Sequence, residues 1–456
     1  MKRAHNVSMT NITAAIAARV AEITYESLDR ATIDAVKRLV VDGIAVAIAG
    51  TAEDAPRILA EQVRALESRP DATVWGFGFR TAPQSAAFCN AASMHVLDFE
   101  PMSSPPTHAV SPTLPAAFAL AEALCAPGRE IVAACAKGFE MQGRVLLASG
   151  HDRGDLPFHT PGVVGVMGSV VAASHLLHLD ATQLAHAFGI AASRCGGLSA
   201  NTGSMVKCTH CGNASSAGVE AALLAERGFV AHPRIFDAER GYVATFFPKH
   251  FDAEALLAFG RPYRCVDPGM ALKFYPSKYP THFAIAAALD ARRHLTPASS
   301  IRAVRILTPD IEDADRPQPR SGLEGKFSFQ YTAAAALLDG RVGIDTFTDR
   351  RRFASDMVAM LDRIRVIRNP QAPRDTRNMR LEIEVDSYDS TTARGICTAP
   401  PGSWGLPVDT AVHRVKITDC LRVRFDETRI AHLLALTDAL EVLSADEVGE
   451  LARLLA

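Results

Sequence analysis

The chain has 456 residues, 48 Lys+Arg against 50 Asp+Glu, a formal charge of −2 and 48% hydrophobic residues. That balance argues against a chain built to coat nucleic acid or a membrane surface, and its length makes a large core and two domains the soft expectation. Nine cysteines stand singly and no run approaches the ~18 apolar residues of a bilayer span, so a soluble cytoplasmic protein without a disulfide scaffold is expected, with no membrane or nucleic-acid partner.

The start, MKRAHNVSMTNITAAIAARV, has no sustained apolar segment and reads as an amphipathic helix capped by Thr10 or Asn11. Ser27 or Asp29 can cap the next helix, which stops at Gly50, and residues 54–68 repeat the helical period. TVWGFGF (73–79) is the only strand-like piece of this half. Helices follow at about 84–97, 112–125 and 129–149, with Gly128 and Gly150 as stops. PGVVGVMGSVVAASHLL (161–177) is small or apolar almost all round and should be buried on every side. Asp180 and Gln183 form a capping-box start, and a further helix is expected over about 212–228.

Near residue 265 the texture changes. Prolines cluster around KFYPSKYPTH, and strands then alternate with helices. Ser300–Leu307, Arg363–Ile367 and Met379–Asp386 alternate with period two; Phe327–Leu338 and Arg350–Asp362 read as helices. PPGSWGLP (400–407) breaks the pattern before helices at 428–439 and 444–455. The fold class expected is mostly α with a smaller α+β part: a helical domain over 1–268, an α+β domain over 269–405, and C-terminal helices over 406–456.

Five stretches can carry chemistry. In NAASMHVLDFEPMSSPPTHAVS, His95 and Asp98 share a helical face and His108 follows a Pro/Ser loop. NTGSMVKCTHCGN (201–213) offers Lys207 ahead of a helix start near Gly212, which makes a small anion site. Its Cys208 and Cys211 have C-x-x-C spacing but no second pair, so zinc is not expected and a zinc or redox protein built on them is a minor alternative. FHTPGVVG brings His159, ALKFYPSKYPTH brings Lys273, Lys278 and His282, and KFSFQYTAAAALLDG brings Tyr331 at a helix start. There is no P-loop, no G-x-G-x-x-G, no Ser-His-Asp order and no evident metal cage. Several cations, one carboxylate and a phenol suit a small polycarboxylate whose α-proton is moved by one base and one acid.

NAASMHVLDFE, THAVSPTLPAAFALAE, FHTPGVVGVMGSVVAAS, LAHAFGIAAS, GSMVKCTHCGNASSAGVEAALLAERGF, LKFYPS and FSFQYTAAAALLDG, in that order, resemble the MmgE/PrpD family, which includes 2-methylcitrate dehydratase, cis-aconitate decarboxylase and iminodisuccinate epimerase. The resemblance implies a helical domain built from both chain ends, an α+β lid, a homodimer, and lyase or isomerase chemistry without metal or cofactor. By motif it implies catalytic roles for Asp98, His108, His159 and Tyr331, and substrate binding by Lys207 and Lys273. His95 and Met102 join the substrate-binding set by position. The chain departs from the family at DFEPM, where Pro101 and Met102 replace an aspartate and a threonine of DFDDT. A thioether donates no hydrogen bond, so an altered substrate preference is expected if Met102 faces the ligand. A dehydratase is the favoured expectation, with a decarboxylase, an epimerase or a non-catalytic binding relative as alternatives.

Overall fold

A computed structural model describes residues 11–150, 156–295 and 301–456. Thr10 and Ser300, one a candidate cap and the other an expected strand residue, lie outside the described residues. Asn11 caps α1 (Ile12–Ala21) by accepting from the Ala14 amide at 3.0 Å, and Asp29 caps α2 (Arg30–Gly50) through Thr32 at 2.7 Å. After α3 (Asp54–Arg64), the expected single strand is a hairpin: β1 (Ala72–Val74) pairs with β2 (Phe79–Thr81). Gly76 and Gly78 turn it at φ +70° and +67°, a conformation that favours glycine.

Helices α4 (Pro83–Val96), α5 (Val110–Ala123), α6 (Gly128–Ala148), α7 (Pro161–Leu176), α8 (Ala181–Ala192) and α9 (Val206–Glu226) complete this half. Every residue of α7 except His175 is buried, as an all-round apolar helix requires, and the Asp180–Gln183 capping box is present. Two glycines do not act as the punctuation expected of them. Gly128 opens α6 and touches the C-terminal segment so closely that a Cβ would stand 1.8 Å from the Leu440 carbonyl. Gly212 lies inside α9 against Phe88 of α4, and α9 starts six residues earlier, at Val206. Both are small because another backbone or ring passes close by.

A four-stranded sheet has the order β4-β3-β5-β6, built from β3 (Ile301–Pro309), β4 (Ile364–Asn369), β5 (Leu381–Ser387) and β6 (Thr392–Cys397). β3 and β4 run parallel; β3–β5 and β5–β6 run antiparallel. The helix Tyr279–Arg292 packs on it so tightly that a Cβ at Gly395 would meet the Ala287 carbonyl at 2.0 Å. That helix, β6 and the helix Thr410–Leu421 have no counterpart among the expected elements. The segment 350–362 is two short helices, Asp349–Arg352 and Ser355–Leu361, in place of one.

Buried side chains form two principal cores. One holds α1–α9 together with Ile417, Leu433 and Leu451 near the C-terminus; the other holds the sheet, the helix Tyr279–Arg292, the helix Phe329–Asp339 and Met102. Among the described residues no helix is long and apolar enough to cross a membrane.

Candidate functional site

α4 ends at Val96, and Asp98, two residues on, takes φ +52°, a left-handed conformation rare outside glycine, asparagine and aspartate. The bend turns its carboxylate away from the helix that carries it and into a cationic clamp. Lys207 Nζ, from the first turn of α9, reaches Asp98 Oδ2 at 2.6 Å, and Lys273 Nζ donates to Oδ1. Lys273 is fully buried, Lys207 nearly so. Burial alone would raise the Asp98 pKa, but Lys207 and Lys273 hold it well below the ordinary carboxylate range. Burial brings Lys273 down to about 8, although Asp98 pulls the other way.

Beside the clamp stands a group of imidazoles. The ring centroids of His95 and His108 are 4.5 Å apart, those of His95 and His159 5.3 Å, and His159 Nδ1 lies 3.1 Å from His210 Nδ1. Glu100, fully buried, sits behind them. Its Oε1 is 2.5 Å from His95 Nδ1, 2.6 Å from Ser111 Oγ and 3.0 Å from His108 Nδ1, the last outside good hydrogen-bond alignment. The short Glu100 contact keeps the His95 proton on Nδ1 and leaves Nε2 a bare lone pair, which has no hydrogen-bond partner among the described residues. Burial depresses His95 to about 3 and, with Lys207 nearby, carries His159 well below the usual imidazole range; burial lowers His108 against the pull of Glu100. His95, His108 and His159 are therefore neutral near pH 7, and Asp98 and Glu100 are ionised.

These groups meet a cleft of about 320 Å³. His95, Asp98 and Lys207 line it, together with Glu53, Ser204 and Phe327. Lys207 Nζ also sits 5.3 Å from the Phe327 ring centroid. His108, His159 and Lys273 are not among the lining residues; they back those that are. Tyr331 is buried in the second core and its hydroxyl donates to the Thr346 carbonyl at 2.5 Å. Met102 is fully buried there too, exchanging backbone hydrogen bonds with Ala271 at 2.9 and 2.8 Å. The structure thus brings together Asp98, Lys207, Lys273, His95, His108 and His159, and places Tyr331 and Met102 away from the lining. His282 is buried, its Nε2 3.3 Å from the Ser277 carbonyl, and Lys278 pairs with Asp313.

Three groups at the site were not singled out in the sequence: Glu100, Ser111 and His210. His210 could have been found, because it stands three residues after Lys207 on what proves to be one helix. Glu100 carries no signal of its own in DFEPM, because nothing local marks one carboxylate as the partner of two histidines. Donor atoms of His95, His108 and His159, and of Asp98, Glu100 and His108, lie within 4.8 Å of one another, close enough to hold a metal ion. Two ammonium groups already occupy Asp98, and a cation there would face both. Cys208 and Cys211 lie on α9 with their thiols pushed up by burial, Cys208 to about 12, which suits neither thiolate ligands nor redox chemistry.

Sequence models of the MmgE/PrpD N-terminal and C-terminal domains match residues 14–254 and 275–441. The chain is 30% identical to cis-aconitate decarboxylase of Mus musculus over 98% of this chain and 94% of that protein. It is likewise 30% identical to the Homo sapiens cis-aconitate decarboxylase, over 88% and 85% respectively. To 2-methylcitrate dehydratase of Cupriavidus necator it is 26% identical, over 71% of this chain and 70% of the other. Two domain matches in order, and a likeness to named lyases running nearly end to end, make this chain an enzyme of the MmgE/PrpD family.

Proposed function

We propose that this chain is a lyase that decarboxylates a small unsaturated tricarboxylate of the cis-aconitate kind. The observation that carries the reading is a cleft lined by both His95 and Lys207, in which His95 Nε2 is buried without a hydrogen-bond partner among the described residues and so can take up a proton when a polyanion binds and pass it on. Lys207 anchors a substrate carboxylate, and Phe327 beside it keeps that contact dry enough to count. Lys273 holds the Asp98 carboxylate in place behind the cleft wall. When C–C cleavage releases carbon dioxide, the electron pair left on carbon needs a proton. A polyanion arriving beside His95, His108 and His159 raises their pKa from the depressed unliganded values, so an imidazole charged in the complex can supply it.

Decarboxylation stands ahead of the dehydration favoured on sequence grounds because the likeness to the Mus musculus decarboxylase, at 30% identity, covers 98% of the chain, against 26% identity over 71% for the dehydratase. Dehydration of a 2-methylcitrate-type substrate is the second reading. It is favoured by the neutral state of His95, which suits proton abstraction from carbon. A homodimer in the cytoplasm, needing no cofactor, completes the proposal; light scattering tests the dimer.

The deciding experiment follows purified protein by proton NMR with cis-aconitate, 2-methylcitrate and citrate in parallel. Loss of carbon dioxide from cis-aconitate is expected, and it should disappear in His95→Gln. Water loss from 2-methylcitrate with an inert cis-aconitate would replace the first reading by the second. No turnover of any of the three would remove both.

A further inference from the structure

A second cavity lies among α1, α6, α7 and α8 and shares no lining residue with the Asp98 cleft. Its volume is about 170 Å³, room for several water molecules. Lys137 projects into it from α6 and is only 3% exposed. The ammonium donates to the Ile23 carbonyl at 3.0 Å and lies 3.1 Å from His175 Nδ1, which uses two of its three N–H groups. No carboxylate among the described residues pairs with it directly. Glu130 stands on the far side of the His175 ring, 3.0 Å from its Nε2. A cation so enclosed without its own counter-ion is costly. Burial has brought its pKa down to about 7, with Glu130 opposing.

Tying Lys137 to the carbonyl just beyond α1 accounts for one of its bonds and for nothing else in the cavity. Ser174 also lines it, 3% exposed, and its hydroxyl has no partner among the described residues. Buried hydroxyls are ordinarily satisfied, so an orphan in the same cavity as a buried ammonium marks a place where a ligand oxygen would sit. The rest of the wall is hydrocarbon from Val20, Val171 and Leu184, together with the exposed Thr24 and His178. A second carboxylate turned toward Val20, Val171 and Leu184 would be buried unpaired.

We propose that this cavity is a second ligand site, which takes a small monocarboxylate with its oxygens on Lys137 Nζ and Ser174 Oγ and its short alkyl chain against Val20, Val171 and Leu184. The site is separate from the lyase cleft, so its occupancy is read independently of turnover.

The test is a titration of the full-length protein with butyrate by saturation-transfer NMR, with succinate and inorganic phosphate as controls. Binding of butyrate in the millimolar range is expected, with both controls weaker. Lys137→Met should weaken it about tenfold or more and Ser174→Ala several-fold, the usual result of removing a charged or a neutral hydrogen-bond partner. Lys207→Ala should leave it unchanged. Because Lys137→Met can disturb folding, Ser174→Ala, checked by its melting temperature, carries equal weight. Butyrate binding that survives both substitutions, or that is lost in Lys207→Ala, overturns the proposal. So does binding of succinate or phosphate as tight as that of butyrate.

Discussion

Two buried carboxylates in this molecule have nearly the same partners and different surroundings. Asp42, on α2, is fully buried; Lys416 Nζ reaches its two oxygens at 2.9 and 2.8 Å, and His413 Nε2 stands at 2.8 Å. Asp98 likewise has lysines on both oxygens and a histidine nearby. Burial would raise both carboxyl pKa values, and in both the lysines and histidines bring them down. The Asp42 cluster closes on itself: Lys416 spends its remaining donor on the Phe99 carbonyl at 3.0 Å and lies 4.2 Å from the Phe99 ring. It ties the C-terminal helix Thr410–Leu421 to α2 and to the residue following Asp98. The Asp98 cluster keeps a side chain on a cleft, a backbone in the left-handed region and an unpaired imidazole nitrogen. Residue composition does not separate a fastener from a site; an open wall and an unspent lone pair do.

Breaking the fastener should give the largest effect on stability. Lys416→Met leaves Asp42 buried with only His413, and the unfolding free energy should fall by about 3–5 kcal/mol in a denaturant titration. Turnover per folded molecule should change far less. A large fall in turnover with intact stability would mean that the two clusters work as one.

At the cleft the signs reverse. Lys207→Ala should cost about 1–3 kcal/mol in kcat/KM, roughly a factor of five to 150, because a substrate carboxylate loses its cation. Its melting temperature should move little, since Asp98 keeps Lys273. Lys273→Ala removes a fully buried ammonium and should lower both activity and stability. Lys207→Ala with full activity on the true substrate would remove it from the binding wall.

Acid should act on the cleft before the fastener. His95, held by burial at about 3, titrates near 6.5 once unfolded. Below that value the unfolded chain binds the extra proton, so stability falls as pH drops. Each such histidine contributes a slope of about 1.4 kcal/mol per pH unit between roughly pH 6 and 4. Depressed carboxylates, Asp42 included, stabilise above an unfolded pKa of about 3.9 and lose that contribution only below it. Urea unfolding at several pH values should therefore show a slope through pH 5 that shrinks by about one proton in His95→Gln. An unchanged slope would place the proton uptake elsewhere.

The smallest effect is expected at Met102. Its side chain is buried in the second core, so Met102→Thr should cost about 1–3 kcal/mol of stability, through lost packing and a newly buried hydroxyl. Relative rates on a tricarboxylate panel should stay within about twofold, as the side chain lines no part of the cleft. A change in substrate preference would restore the specificity role suggested by the DFEPM departure.

Local signals in the chain sufficed for most helices of the first half, the burial of 161–176 and the Asp180 capping box. Those features depend on neighbours three or four residues apart and on hydrophobic period, which are written in order along the chain. They also delimited the family, through motifs that name Asp98, His108, His159, Lys207 and Lys273. They did not suffice for His95 and Asp98, whose expected shared helical face is broken by the end of α4 at Val96 and the left-handed backbone of Asp98. What only the tertiary structure decided joins residues far apart in sequence. Lys207 and Lys273 meet one carboxylate from 109 and 175 residues away, and Glu100 fixes the proton of His95. Gly128 and Gly212 read as punctuation because a glycine's small size looks the same in sequence whether it ends a helix or admits a passing chain. Asp42 and Asp98 look alike for a related reason: a carboxylate's role is set by what shares its cavity, and folding alone chooses that company.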